Sequence, residues 1–204
     1  AKKRDQTITF RIGRITAPEI TASAGGNTYT FNDIYPDENL MMFNLDYEWQ
    51  PWTRFGKFGI VGGFGFFTTQ GNGRYATETS PPRNYLPIEK YTFIGMPLSL
   101  GAIYKLELAG RQWVVPYVAG GGTYYLLVER RDDNKTTYLA QPAGYGAVGA
   151  MLNITALDRS LAFTMDNEYN IGNLWLTLEY RRIQSGGDVN MTTNFISAGV
   201  GADY

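Results

Sequence analysis

Two carboxylates, Asp46 and Glu48, stand two residues apart in the stretch Leu40 to Gln50. On an extended strand that spacing puts both on one side, about 7 Å apart. A carboxylate pair so placed can carry general acid–base chemistry when its surroundings separate the two proton affinities. Strand parity also puts Arg11, Lys105, Glu179, Arg181 and Asp203 on the polar sides of their own segments. The competing reading is therefore an ion-pair network, with Arg11 and Arg181 balancing Asp46 and Glu48, because buried charges need partners.

Missing residue types narrow the chemistry further. The 204 residues include no histidine and no cysteine, which removes histidine-based dyads and triads, histidine-ligated zinc, thiolate sites and disulfides. Asp132-Asp133-Asn134 opens like a calcium loop but lacks the later glycine and bidentate glutamate, so it reads as a turn. Gly71-Asn72-Gly73 has no phosphate-loop lysine context and reads the same way. No metal or cofactor is expected. A net charge of −1 gives nucleic acid no electrostatic pull.

The elements that must position these residues are strands. Residues 40–50 alternate most cleanly, with Met41, Phe43, Leu45, Tyr47 and Trp49 against Met42, Asn44, Asp46, Glu48 and Gln50. Ile8, Phe10 and Ile12 share a face, as do Phe58, Ile60, Phe64 and Phe66. The series Ile94 to Leu106 does so too, and so do Leu174, Leu176, Leu178 and Tyr180. Val115, Tyr117, Ala119, Tyr125 and Leu127 fall in phase over 113–128, and a glycine-rich strand runs through Tyr145 and Met151. Ile196 to Tyr204 alternates Ile, Ala, Val, Ala and Tyr with Ser, Gly, Gly and Asp. The stretch 156–172 reads as a strand or as a helix. Asp158 as N-cap, Leu161, Met165 and Tyr169 in helical phase, and Gly172 as terminator favour a short helix over about 158–170.

About eight strands of roughly ten residues suit a bilayer crossing. Connections alternate between long (17–38, 70–90) and short (51–56, 108–111), matching long external loops and short periplasmic turns. Tyr47, Trp49, Trp52, Tyr104, Trp113 and Tyr204 collect near the short-turn end, where an interfacial aromatic girdle belongs. A soluble antiparallel barrel is the alternative, but its outside would need far more charge than these strands carry. The expected fold is therefore all-β, one eight-stranded antiparallel up-and-down transmembrane barrel over 1–204. No run of apolar residues is long enough for a transmembrane helix. Ala1 to Gln6 is basic with no apolar run behind it and reads as the mature start of an exported chain whose signal peptide is cleaved.

Met96 to Tyr104, Pro116 to Tyr125 and Ile196 to Tyr204 together resemble the small bacterial outer-membrane β-barrels of the OmpA/OmpX/OmpW-like family. The resemblance covers nearly the whole chain and specifies architecture rather than activity. It implies an outer-membrane location in a Gram-negative envelope. It also implies insertion through Ile196–Tyr204 by the barrel-assembly machinery, although the chain ends in Tyr where Phe is usual. Enzymes among such barrels rely on a histidine that this chain lacks, so the expectation is no catalytic residue, with carboxylate-only catalysis the last alternative. The lumen of an eight-stranded barrel is normally packed, which favours a network of Arg11, Asp46, Glu48, Lys105, Glu179 and Arg181. Function then falls to the long loops 17–38 and 70–90 as a structural or surface-recognition role. A narrow channel for small solutes, hydrophobic ones among them, is the alternative that the OmpW-like resemblance implies. Arg14, Arg131 and Arg182 fall at outer strand ends on the lipid-facing parity, where they contact phosphates of lipopolysaccharide or remain solvated.

Overall fold

The computed structural model describes residues 4–16, 21–24, 27–30, 40–72, 90–109, 112–131, 136–185 and 192–204. Alternating stretches become strands: β1 (Gln6–Ile15), β2 (Thr21–Ala24), β3 (Asn27–Thr30), β4 (Leu40–Trp52), β5 (Lys57–Asn72), β6 (Lys90–Lys105), β7 (Val114–Arg131), β8 (Thr136–Asn153), β9 (Asn173–Gln184) and β10 (Thr193–Asp203). Among the described residues, one helix, α1 (Arg159–Tyr169), joins β8 to β9. The barrel closes in the order β1-β10-β9-β8-β7-β6-β5-β4, and β2-β3 is a separate hairpin inside the first long connection. All ladder pairs are antiparallel, and β1 meets β10 with Ile8 opposite Ala202, Phe10 opposite Val200 and Arg11 opposite Gly199. Closure removes the open sheet edges that a bilayer would penalise.

The hydrophobic faces point outward. Met41, Phe43, Leu45, Tyr47 and Trp49 are exposed, while Met42, Asn44, Asp46, Glu48 and Gln50 are buried. β7 departs from this rule. Val115, Tyr117, Tyr125 and Leu127 turn inward, and Val118, Tyr124 and Leu126 take the outer belt. Both faces of that strand are apolar, so alternation alone does not choose between them.

Inside, two apolar clusters lie at different depths. Towards the end that carries the long connections, Ile15, Leu40, Met42, Phe67, Phe93, Tyr125, Leu127, Tyr145, Ile183 and Phe195 form one. Nearer the short turns, Val61, Ile103, Val115, Tyr117, Met151 and Trp175 form the other. Inward glycines make room for the large groups: a side chain at Gly95 would overlap the Phe67 ring, and one at Gly149 would overlap Tyr117. Small residues opposite large ones thus fill the lumen.

Several strands exceed the expected ten residues. β5 to β8 run 16 to 18 residues, while β9 and β10 have 12 and 11. The β8–β9 ladder stops at Gly144 and Gln184, yet β8 pairs with β7 up to Thr136. Residues 136–143 therefore carry the wall about 25 Å along the strand beyond β9. Of the loop expected over 70–90, its two ends are strand, and 73–89 lie outside the described residues, as do Asp132, Asp133 and Asn134.

The helix starts as the sequence suggests, with Asp158 Oδ1 accepting from the Ser160 amide at 2.8 Å. Its end differs. Asn170, with φ of 57°, takes the left-handed position, and the Ile171 amide bonds back to the Met165 carbonyl at 2.9 Å. Asn170 thus closes the helix in place of Gly172, because its short polar side chain tolerates this conformation.

Candidate functional site

β1, β4, β6 and β9 bring the expected charges together inside the barrel. Asp46 Oδ2 accepts from Arg11 Nη1 and, at 3.2 Å, from Arg181 Nη2. Glu179 bridges the same two guanidiniums, with Oε1 2.9 Å from Arg181 Nε and Oε2 3.6 Å from Arg11 Nη2. The Tyr117 hydroxyl donates to Glu179 Oε2 at 2.8 Å and accepts from Arg11 Nη2 at 3.3 Å. The Arg181 guanidinium also lies over the Tyr145 ring, 5.0 Å from its centre. Two guanidiniums and two carboxylates form a closed cycle.

A second cluster lies nearer the short turns. Lys105 Nζ contacts Glu48 Oε2 at 2.6 Å, and Gln50 Nε2 donates to the same oxygen at 2.6 Å. Thr7 Oγ1 donates to Asp203 Oδ1 at 2.7 Å. Asp203 Oδ2 accepts from Trp175 Nε1 at 2.9 Å and lies 3.6 Å from Lys57 Nζ, which reaches Glu107 at 2.9 Å. Asp46 and Glu48 share a side as their spacing requires, but they serve different cations. Each is almost wholly buried, 1% and 0% exposed, and each carboxylate is committed to cations. Such burial and pairing hold strands in register.

Thr7 and Gln50 carry the inward parity of Arg11 and Glu48, so alternation could have found them. Tyr117 left no such signal, because it sits in the doubly apolar β7.

The outer wall carries few charges. Among described side chains at outward barrel-strand positions, the charged ones are Arg14, Arg130 and Arg182. The Arg131 side chain lies outside the described residues, and Arg130 next to it is exposed. Of the expected arginine trio, the side chains of Arg14 and Arg182 are described, and both are exposed. Ile196 of β10 faces Arg14 on one side and Tyr180 on the other. Arg182 thus stands two strands across and two residues along from Arg14, about 12 Å between Cα atoms by strand spacing. Between them the Tyr180 hydroxyl donates to Asn194 Oδ1 at 2.8 Å. Arg130 pairs with Thr136 high on the extended β7–β8 arm.

At the other end, Tyr47, Trp49, Trp52 and Trp113 are exposed, with Tyr104 and Tyr204 half-buried. Trp52 packs on Phe58 at 5.4 Å between ring centres. These rings sit where the short turns return the chain, as an interfacial girdle requires.

No protein-family model and no curated protein sequence matches the chain. Solved structures do. The chain is similar to the outer membrane protein OprG from Pseudomonas aeruginosa, with a TM-score of 0.56 at 11% identity over 100% of this chain and 97% of that one. It is similar to Neisserial surface protein A, with a TM-score of 0.54 at 10% identity over 98% and 97%. The N-terminal β-barrel domain of Pseudomonas aeruginosa OprF superposes with a TM-score of 0.51 at 8% identity, covering 100% of both. At such identities the likeness shows a shared fold. Closed eight-strand topology, outward apolar faces and an inward polar network agree with it: the chain has the fold of the small outer-membrane β-barrels.

Proposed function

We propose that this chain is an outer-membrane barrel with a closed lumen that works at the cell surface, in recognition or attachment, rather than by transport. The filled interior carries this reading. The apolar cluster around Phe67, Tyr125 and Phe195 lies beyond the charged cycle of Arg11, Asp46, Glu179 and Arg181, so a solute would have to displace both. What remains available is the outside, and there the β7–β8 arm stands above the shorter β9. Tyr138 on it is 77% exposed. Among the described residues, 136–143 of β8 pair with β7 alone. A strand from a protein partner would add along this stretch of β8.

Two measurements test the proposal. The purified chain in a planar bilayer should insert without discrete conductance, and steady openings would replace this reading with the channel. Cells displaying the chain should attach to surfaces coated with host or neighbouring-cell proteins. Replacing 128–138 with a two-residue turn should abolish attachment while the barrel still folds; undiminished attachment would refute the arm as the recognition element.

We further propose that Arg14 and Arg182, with Asn194 between them, contact phosphate of the outer-leaflet glycolipid. An arginine at the membrane rim is tolerable where it would be costly at the midplane, and paired guanidiniums suit phosphate. Thermal unfolding in bilayers with and without lipopolysaccharide tests this. Arg14→Gln with Arg182→Gln should remove the lipopolysaccharide-dependent rise, and Arg130→Gln should keep it. An unchanged rise in the double variant would dismiss the idea.

A further inference from the structure

The connections at the short-turn end carry apolar side chains at their tips. Phe55 lies between β4 and β5, Leu108 between β6 and β7, and Leu157 and Phe163 between β8 and β9. They are 76%, 68%, 67% and 73% exposed, more than any of the lipid-facing β4 row from Met41 to Trp49. In the closed strand order these connections are spread evenly around the rim. The remaining sector belongs to Tyr204, whose amide bonds the Gln6 carbonyl of β1 at 3.1 Å. A charged residue adjoins each tip of a connection: Arg54 beside Phe55, Glu107 beside Leu108 and Asp158 beside Leu157.

The outer wall sets how far the membrane reaches towards these tips. On the lipid-facing sides of β1 and β9 the described charges are Arg14 and Arg182. Arg14 stands eight residues from Gln6, where β1 starts, and Arg182 nine from Asn173, where β9 starts. At about 3.3 Å per residue and a tilt of about 40°, those spans are about 20 and 23 Å in height. The apolar band of such a barrel is about 25 Å tall. Measured from the arginines it ends at the strand starts or just past them. The headgroup layer beyond, about 5–7 Å deep, then takes in the connections.

We propose that the short-turn end of the barrel, with helix α1, is seated in the headgroup layer of the inner leaflet and anchors the chain there. The distribution of the tips selects a lipid surface as the occupant. A protein partner would cover one side of the rim, whereas a bilayer covers all of it. The lipid-facing belt also runs into the tips without a break. Trp52 packs on Phe58 next to the turn of Phe55, and exposed Leu106 and Leu108 continue the outward row of β6. An apolar tip with a charged neighbour suits this layer, because the apolar group enters the acyl boundary while the charge stays among headgroups and water. Asp166 of α1 is tied to Arg4, just before β1, by an ion pair, which holds the helix to the rim. Anchoring at this end depends neither on the β7–β8 arm nor on what the rim arginines contact.

The test is magnetic resonance of the full chain in lipid nanodiscs with two paramagnetic probes. A nitroxide carried near the lipid headgroup should broaden the amide signals of Phe55, Leu108, Leu157 and Phe163 and leave Tyr138 on the β7–β8 arm sharp. A water-soluble gadolinium chelate should do the reverse. Tips broadened by the chelate and spared by the nitroxide would overturn the proposal. So would nitroxide broadening confined to Leu157 and Phe163, since that is contact on one side of the rim. A second measurement uses stability. Phe55→Ser with Leu108→Ser should lower the urea midpoint of protein folded in bilayers, while Tyr138→Ser should not. An unchanged midpoint in the double variant would overturn the anchor.

Discussion

Neutralising Asp46 should expose how tightly the lumen charges depend on each other. Asp46 Oδ2 receives both Arg11 Nη1 and Arg181 Nη2, the latter at 3.2 Å. At an effective dielectric constant of about 20, a pair at that distance attracts by about 5 kcal/mol before desolvation is counted. Asp46→Asn leaves Glu179 alone to balance two buried guanidiniums, at 2.9 and 3.6 Å. Removing one partner of a buried pair costs about 3–5 kcal/mol, and that is the expected loss. Arg11→Met should cost a similar amount. The double variant should cost clearly less than the sum, because it leaves the Arg181–Glu179 pair balanced, with a coupling of about 2 kcal/mol or more. Urea titration of protein folded into short-chain lipid bilayers, followed by tryptophan fluorescence, measures all three. Single losses below about 1 kcal/mol, or strictly additive losses, would mean the cycle does not act as a unit. No variant of the set should conduct, since the apolar cluster at the outer end remains.

Gly95→Ala should destabilise by about 1–3 kcal/mol, because its methyl group meets the Phe67 ring. Adding Phe67→Leu should recover part of that loss in the same titration. Trp175→Phe removes the 2.9 Å bond to Asp203 and should cost about 1.5–3 kcal/mol, the usual range for a bond to a charged group. Asp158→Ala removes the cap of α1 and should cost about 1 kcal/mol of local stability. Faster amide exchange at Ser160, with exchange in β4 unchanged, is the readout.

The alternation of side chains along each strand set most of the architecture before any contact was known. It gave the outward apolar belt of β4, the shared faces of Ile8, Phe10 and Ile12 and of Ile196 to Tyr204, and the inward set of Arg11, Asp46, Glu48, Lys105, Glu179 and Arg181. A strand has only two faces, and charge on one of them is costly in lipid, so these positions had a single stable arrangement. Asp158 likewise announced the start of the helix through its own side-chain chemistry.

Tertiary structure decided whatever parity leaves open. In β7 both faces are apolar, so only pairing with β6 and β8 turned Tyr117 inward to meet Arg11 and Glu179, and Arg130 outward. Sequence spacing also does not say which strands will stand side by side at one height. The closing register put Arg14 and Arg182 on either side of β10, lifted the β7–β8 arm above β9, and brought Arg4 to Asp166 across the short-turn end. The physical reason is that alternation fixes the direction of each side chain relative to its own strand. The stagger of a closed barrel fixes which side chains from distant strands share a level, and that is a property of all eight strands together.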